Sequence, residues 1–317
     1  MKILVTFLLN LLFISAIAQS KLTQAKAFFE NKKYTEAGKI LLLIDKKDKD
    51  FAEAKFYLGR ISFEQKKFDD AVEYFETAVE YNTTTAAYYS WLGNAYGAVA
   101  QESSYVTQAM LAPKMRNAWE SASKLDPKNT DARWSLLMFY TFAPEIMGGG
   151  IAKAKIMATE IKKINLTSGY QAFGFIYERQ NLVAEAEKEY TQIIKSDSAN
   201  IAPLVNFYIK QKQYTKAFPL VENALKSKSN DYSIIYLYGK LSALSGKNLD
   251  KGVTYLEKYL QHKPAKTEPS IAGAQMRLGQ IYEKKGNKPE AKKYYQLALK
   301  QEPNLKDASE GLKRVMN

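Results

Sequence analysis

Small residues recur in this chain at an interval of 34 positions. Ala37 is followed 34 residues later by Ala71, and Gly59 is followed at the same interval by Gly93. A fixed period of this length indicates a helical repeat array rather than a single globular core. Such an array favours a protein that holds other proteins together over an enzyme.

The first 18 residues have the composition of a secretory signal peptide. Lys2 precedes an almost wholly apolar run over residues 3–17, and residues 16–18 form an Ala-Ile-Ala cleavage site before Gln19. A membrane anchor is the alternative, but the run is short for a span of ~20 residues and is interrupted by Asn10 and Ser15. We therefore predict a signal peptide over residues 1-18 and a mature chain over residues 19-317.

The chain contains no cysteine. A bacterial lipoprotein needs a cysteine at its cleavage site, so the sequence predicts an exported protein, periplasmic or secreted, that is not a lipoprotein. Disulfides and thiol catalysis are excluded as well. No later stretch is apolar enough for a transmembrane helix, so stable membrane insertion is not expected.

The formal net charge is +13. Such an excess can favour nucleic acid, an anionic membrane or an acidic polysaccharide. Export argues against nucleic acid, and the basic residues are scattered in pairs such as Lys32-Lys33 and Lys284-Lys285. A solvated exterior therefore explains most of them, while an anionic component of the cell envelope stays an alternative partner.

The repeats match the pattern W-x2-L-G-x2-Y, then A-x3-F, then P. The best match runs from Leu278 to Tyr282 and continues through Ala291 to Pro303. An amphipathic stretch over 304-317 follows, as expected for a cap on the last repeat. The pattern fits eight units, near 20-51, 52-85, 86-129, 130-166, 167-197, 198-231, 232-265 and 270-303.

On these motifs the chain resembles tetratricopeptide repeat (TPR) proteins, of the type exported by bacteria, over nearly all of its mature length. The resemblance implies an all-α fold, a right-handed α-solenoid of about eight TPR helix pairs plus a C-terminal capping helix, in a single domain. It also implies that the recurrent glycines and alanines lie where the two helices of a pair cross. The recurrent tyrosines would then fill the spaces between units and carry little function.

The period is interrupted in the third and fourth units. An insertion lies within Gly97 to Pro113, and the fourth unit is stretched around Gly148, Gly149 and Gly150. A turn that needs positive φ explains three glycines well, and an anion site at the following helix N-terminus is the alternative. The lysine and serine or threonine of a P-loop do not follow these glycines.

The sequence offers no catalytic constellation and no metal site. Its one histidine, His262, lies near a predicted helix end, where a surface position is expected. One histidine without cysteine does not make a typical zinc site, and no Ser-His-Asp arrangement is evident. We therefore predict no cofactor and no enzymatic activity.

Binding residues are expected on the first helix of each pair, which lines the concave groove in TPR proteins. The helical period places there the residues one position after the glycine and three positions before it. These positions combine amides, cations and large rings, which can hold a peptide backbone, carboxylates and apolar side chains. The candidate residues are Phe56, Arg60, Asn94, Trp134, Met138, Asn206, Tyr236 and Lys240.

The expected function is that of a non-enzymatic protein–protein interaction scaffold of the bacterial envelope, which binds a partner segment in the groove. The alternative is a binding protein for an anionic envelope glycan or lipid headgroup, which rests on the net charge. An enzyme whose catalytic residues come from distant repeats would require a closed pocket with a carboxylate whose pKa is strongly perturbed.

Overall fold

The computed structural model describes residues 20–316, so the predicted signal peptide lies outside the described residues. The described chain is all-α, and its contacts divide it into two compact units, the first ending at Ile164 and the second beginning at Asn165. The helices of the first unit are α1 (Lys21–Glu30), α2 (Tyr34–Leu41), α3 (Phe51–Glu64), α4 (Phe68–Tyr81), α5 (Ala86–Gln101), α6 (Tyr105–Leu125), α7 (Thr130–Phe142) and α8 (Ile151–Ile164), with a 3-10 turn at Glu145–Met147.

The second unit continues the same arrangement with nine helices. They are α9 (Leu166–Arg179), α10 (Val183–Ser196), α11 (Ala202–Lys210), α12 (Tyr214–Ser227), α13 (Tyr232–Ser245), α14 (Leu249–Leu260), α15 (Ile271–Lys284), α16 (Lys288–Gln301) and α17 (Lys306–Met316). Consecutive helices pack in pairs within each unit, which gives eight pairs followed by α17 over the described residues. The predicted fold class is thus confirmed, while the prediction of a single continuous domain stays a prediction.

Many helices begin where a short polar side chain can satisfy a free backbone N–H. In each case the side-chain oxygen of the capping residue accepts a hydrogen bond from the N–H three residues later. The residues that cap in this way include Ser20, Asn129, Asn165, Asp231 and Ser270.

The turn between the two helices of a pair uses a left-handed residue. Lys32 and Lys66 lie 34 residues apart and have φ of 57° and 61°. Lys212 has φ of 55° at the corresponding turn between α11 and α12. An L-residue rarely adopts this conformation, so the tight reversal of the chain is held by packing of the helix pair rather than by the turn sequence.

Small residues lie where the paired helices cross, as predicted. A Cβ atom at Gly59 would lie 2.7 Å from the ring of Phe75, and a Cβ atom at Gly279 would lie 2.7 Å from the ring of Tyr295. Ala71, on the facing helix, is completely buried. A larger side chain at these positions would force the backbones apart, which explains the recurrence of small residues in the sequence.

The last helix, α17, covers the end of the final pair. Ala308 and Val315 are buried against α15 and α16, and Leu312 packs at the edge of the same cluster. Arg314 forms a two-point contact with Glu283, with Nε–Oε1 and Nη2–Oε2 distances of 2.7 and 3.1 Å. The predicted capping helix is therefore present, and a charge-assisted contact fixes it in place.

Candidate functional site

Consecutive repeats in the second unit place polar side chains at one equivalent position. Asn206 on α11, Lys240 on α13 and Gln280 on α15 each lie one position after the glycine position of their repeat. The Lys240 Nζ donates to Asn206 Oδ1 at 2.7 Å, and the Arg277 guanidinium donates to Gln280 Oε1 at 2.8 Å. The first hydrogen bond joins α11 to α13, the second lies within α15, and the positive charge of Arg277 acts on Lys240.

These residues, with Lys210, form a basic cluster, which we define as Asn206, Lys210, Lys240, Arg277 and Gln280. Burial lowers the pKa of Lys240, and the nearby positive charges of Arg277 and Lys210 lower it further. Among the described residues no carboxylate lies within 4 Å of Lys240 or Arg277. The cluster therefore holds more positive charge than its surroundings compensate.

The cations of the basic cluster differ in whether they have a partner. Arg277 Nε is buried and has no hydrogen-bond partner among the described residues. Lys210 is paired at 2.8 Å with Glu178, whose other oxygen accepts a hydrogen bond from Tyr190. The cationic excess is therefore concentrated at Lys240 and Arg277, because Lys210 has its own counter-ion.

The predicted aromatic residue of this region, Tyr236, packs largely into the fold. Its ring lies 5.3 Å from the ring of Tyr259 and covers the core of the second unit from outside. Tyr259 is fully buried, and its hydroxyl donates to the carbonyl of Pro269 at 2.6 Å. Tyr236 thus borders the repeat core and is partly buried.

The first unit contains a pocket of about 890 Å³ at the interruption of the repeat. It lies among α5, α6, α7 and the 3-10 turn, and Phe63 and Phe68 also line it. Three of the predicted residues, Asn94, Trp134 and Met138, line it. We call this cavity the apolar pocket. Its lining is Phe63, Phe68, Asn94, Gly97, Ala98, Ala100, Gln101, Gln108, Ala112, Met115, Trp119, Trp134, Ser135, Met138, Phe139, Phe142, Ala143, Pro144 and Met147.

Two predicted binding residues of the first unit are engaged in packing instead. Phe56 is only 8% exposed and stacks on Tyr88 with a ring separation of 4.8 Å, so it cannot face a partner. The guanidinium of Arg60 lies between the rings of Phe29 and Trp91, at 4.6 and 4.7 Å from their centroids. The helical period places both residues on α3 but does not predict that rings from neighbouring helices cover them.

The glycine-rich segment forms a tight turn. Gly148 and Gly150 have φ of 93° and 140°, and a Cβ atom at Gly149 would lie 1.7 Å from the carbonyl oxygen of Ala143. The backbone N–H groups of all three glycines donate to carbonyls of this region, including Tyr140. These three N–H groups are therefore not free to receive an anion, and an anion site at the N-terminus of α8 stays a prediction.

His262 is held in a loop contact beyond the end of α14. Its ring stacks on Tyr232 at 3.9 Å, and its Nε2 lies 2.8 Å from Glu268 Oε2. The backbone N–H of Ala265 and the imidazole of His262 lower the pKa of Glu268. The pair bridges the loop before α15.

Sequence reasoning missed a series of hydrogen bonds from recurrent tyrosines to glutamates of the preceding pair. Tyr96 on α5 donates to Glu76 on α4, and Tyr140 on α7 donates to Glu120 on α6 at 3.0 Å. Burial and then the glutamate hydrogen bond raise the pKa of Tyr140 to about 12. In both pairs the glutamate precedes the tyrosine by 20 residues, and this recurrent spacing could have indicated the hydrogen bonds from the sequence.

The described residues provide neither a metal centre nor a membrane span. No group of three or more His, Asp or Glu side chains in residues 20–316 is placed to hold a metal ion. Within the same range, every helix is too short or too polar to cross a membrane.

Comparison with known proteins agrees with this architecture. The family profile of the tetratricopeptide repeat matches residues 52–84 and 272–305. A solved tetratricopeptide repeat protein from Parabacteroides merdae superposes with a TM-score of 0.55 at 14% identity, over 94% of this chain and 98% of the other. No curated protein sequence matches.

Two further solved structures are similar at lower scores. The C-terminal part of a TPR repeat-containing protein from Cytophaga hutchinsonii gives a TM-score of 0.47 at 16% identity, over 91% of this chain and 98% of the other. PilW, described as a type IV pilus biogenesis factor, gives a TM-score of 0.44 at 19% identity, over 71% of this chain and 99% of the other.

The fold and its recurrent small residues define the class as a helical-hairpin repeat protein, an α-solenoid. More specifically, its two profile matches and its fold are those of tetratricopeptide repeats. This fold is typical of protein–protein interaction scaffolds.

Proposed function

We propose that this protein is a non-enzymatic interaction scaffold of the bacterial envelope, which binds an acidic segment of a partner protein at the basic cluster. The observation that carries the proposal is the pair Lys240 and Arg277, which have no carboxylate counterpart among the described residues. A partner carboxylate would compensate both charges and accept a hydrogen bond from Arg277.

The chemistry of the cluster favours a peptide over a simple counter-ion. The amide oxygens of Asn206 and Gln280 are engaged, but their N–H groups can donate to the carbonyls of a peptide backbone beside the two cations. Tyr236 contributes apolar area at the border of the same region. Binding energy in such contacts usually concentrates in a few residues, here Lys240 and Arg277.

The test uses a labelled glutamate-rich peptide and its glutamine isostere, with binding followed by fluorescence anisotropy. Lys240→Met and Arg277→Met should each weaken binding of the glutamate peptide about tenfold, as expected for a lost hydrogen bond to a charged group. Lys292→Met is the matched control, because Lys292 is an exposed lysine on α16 outside the cluster and its loss changes the net charge equally.

Three results would contradict the proposal. The control could weaken binding as much as the two cluster variants, which would indicate a general charge effect. The glutamine peptide could bind equally well, which would remove the carboxylates from recognition. Anionic lipid vesicles or an acidic polysaccharide could displace the protein from the peptide and bind more tightly, which would favour the alternative of a glycan or lipid headgroup ligand.

The envelope setting rests on the N-terminal sequence and has its own test. We expect the protein to be recovered from the periplasm or the medium with Gln19 as its first residue. Cell fractionation followed by N-terminal sequencing measures this directly. A chain that keeps residues 1–18 and stays in the cytoplasm would refute the export proposal without affecting the basic cluster.

A further inference from the structure

We propose that the apolar pocket of the first unit binds a single acyl or alkyl chain, supplied as a monomeric amphiphile whose polar end stays outside. This is a ligand-binding activity separate from partner binding at the basic cluster. It rests on the lining, the hydrogen-bond state and the size of the pocket.

The lining determines the chemical class of the ligand. None of the described residues that line the pocket carries a charge, and most are aromatic, methionine or alanine. A charged group inside would be desolvated without a counter-ion, at a large free-energy cost. Methionines such as Met115, Met138 and Met147 adapt easily to an irregular apolar shape, as a flexible chain requires.

Two of the four amide or hydroxyl side chains of the lining are already engaged in hydrogen bonds, which leaves few partners for a peptide backbone as the occupant. Asn94 Oδ1 already accepts a hydrogen bond from Trp119 Nε1 at 3.0 Å, and Gln108 Nε2 already donates to the carbonyl of Ser103 at 3.1 Å. Each buried peptide group needs partners for its N–H and its C=O. A chain of methylene groups has no such requirement.

The size and origin of the pocket suit a small ligand. Its volume of about 890 Å³ lies within the range of roughly 300–1,000 Å³ that is typical of small-molecule sites. The extended helix α6 turns Gln108, Ala112, Met115 and Trp119 toward it at helical spacing. The pocket is thus a product of the interruption in the repeat, where α6 spans 21 residues against 14 in α4.

The experiment titrates the protein with octyl, nonyl, decyl and dodecyl glucosides below their micelle-forming concentrations. Two of the three tryptophans, Trp119 and Trp134, line the pocket, so their fluorescence reports occupancy. The dissociation constant should fall about fourfold for each added methylene, which follows from ~0.8 kcal/mol per buried CH₂. Changing the glucoside to a maltoside of the same chain length should have little effect on the dissociation constant, because the polar end stays outside the pocket.

Matched variants connect binding to the pocket. Met138→Glu places a charge in the lining and should weaken binding at least tenfold, whereas Met110→Glu alters an exposed methionine of α6 outside the lining and should not. Both methionines are exposed, at 39% and 69%, so neither change should unfold the protein. Lys240→Met should leave glucoside binding unchanged, which separates this inference from the proposed function.

Four outcomes would overturn the inference. The first is an affinity that does not depend on chain length, and the second is equal loss in Met138→Glu and Met110→Glu. The third is displacement of the glucoside by the glutamate-rich peptide, which would make the pocket part of a protein interface. The fourth is binding to neutral phosphatidylcholine vesicles without binding of monomeric glucosides, which would indicate that the protein recognises a membrane surface instead of a single chain.

Discussion

Lys240 donates a hydrogen bond to Asn206 Oδ1 at 2.7 Å across one full repeat of 34 residues. The two residues occupy the same position on successive first helices, so the period of the sequence becomes a contact in space. The hydrogen bond holds the ammonium of Lys240 near Arg277 and Lys210, although their charges oppose its protonation. Such uncompensated charge is typical of a binding site rather than of a stability element.

We therefore expect Lys240→Met to stabilise the protein while it weakens acidic-peptide binding. Methionine keeps the apolar stem and removes a desolvated charge, so the free energy of unfolding should rise by about 0.5–1 kcal/mol. Urea unfolding at neutral pH measures this, with Lys292→Met as the exposed control. A marked destabilisation would indicate that the contact with Asn206 outweighs the repulsion.

The stability gain should also depend on pH. Burial and two neighbouring cations lower the pKa of Lys240 below its usual value of 10.5. At pH values between the lowered pKa of the folded state and the usual pKa of the unfolded state, the unfolded state binds more protons. The contribution of Lys240 to stability therefore rises with pH in this interval. The advantage of Lys240→Met over wild type should shrink as pH increases through that interval. Urea unfolding of both proteins at each pH gives the difference between their free energies of unfolding, in which the contribution of the tyrosines cancels. A difference that does not change with pH would disprove the pKa shift.

The glycine-rich turn offers a test of backbone geometry. Gly149→Ala should destabilise the protein by about 2–3 kcal/mol, because its Cβ would collide with the carbonyl oxygen of Ala143. Gly38→Ala is a suitable contrast, since this helical glycine has no atom within 4 Å of the added Cβ. That change should stabilise α2 by about 0.5–1 kcal/mol. Thermal unfolding compares the two variants, and a tolerated alanine at position 149 would contradict the turn geometry.

Tyr140 should contribute stability that is lost in alkali. Burial and the hydrogen bond to Glu120 raise its pKa to about 12, from about 10 in an unfolded chain. Above pH ~10 the unfolded state loses this proton first, so the contribution is complete below that pH and disappears as pH rises through about 12.

Tyr140→Phe should cost about 1–2 kcal/mol at neutral pH through the lost hydrogen bond. It should also reduce the loss of stability on raising the pH. Tyr105→Phe, at a tyrosine that is 63% exposed, provides the control. Equal behaviour of the two variants in urea unfolding would show that the hydrogen bond to Glu120 is not maintained.

The candidate sites could be predicted from the sequence only in part. The helical period places Asn206 and Lys240 on one face, and the structure brings them together. It does not indicate Arg277, which reaches the cluster from three residues before Gln280. The side-chain contacts that bury Phe56 and sandwich Arg60 depend on rings from neighbouring helices, which no local pattern specifies.

The sequence by itself determined the helix pairs and the capping helix, because periodic small and apolar residues encode local helices and their crossings. It also located the interruption within Gly97 to Pro113. Only the tertiary structure decided that the insertion extends α6, with Pro113 inside the helix, and opens an apolar pocket against α5 and α7. A cavity arises where packing between helices is incomplete, and packing is a property of three-dimensional neighbours rather than of sequence spacing.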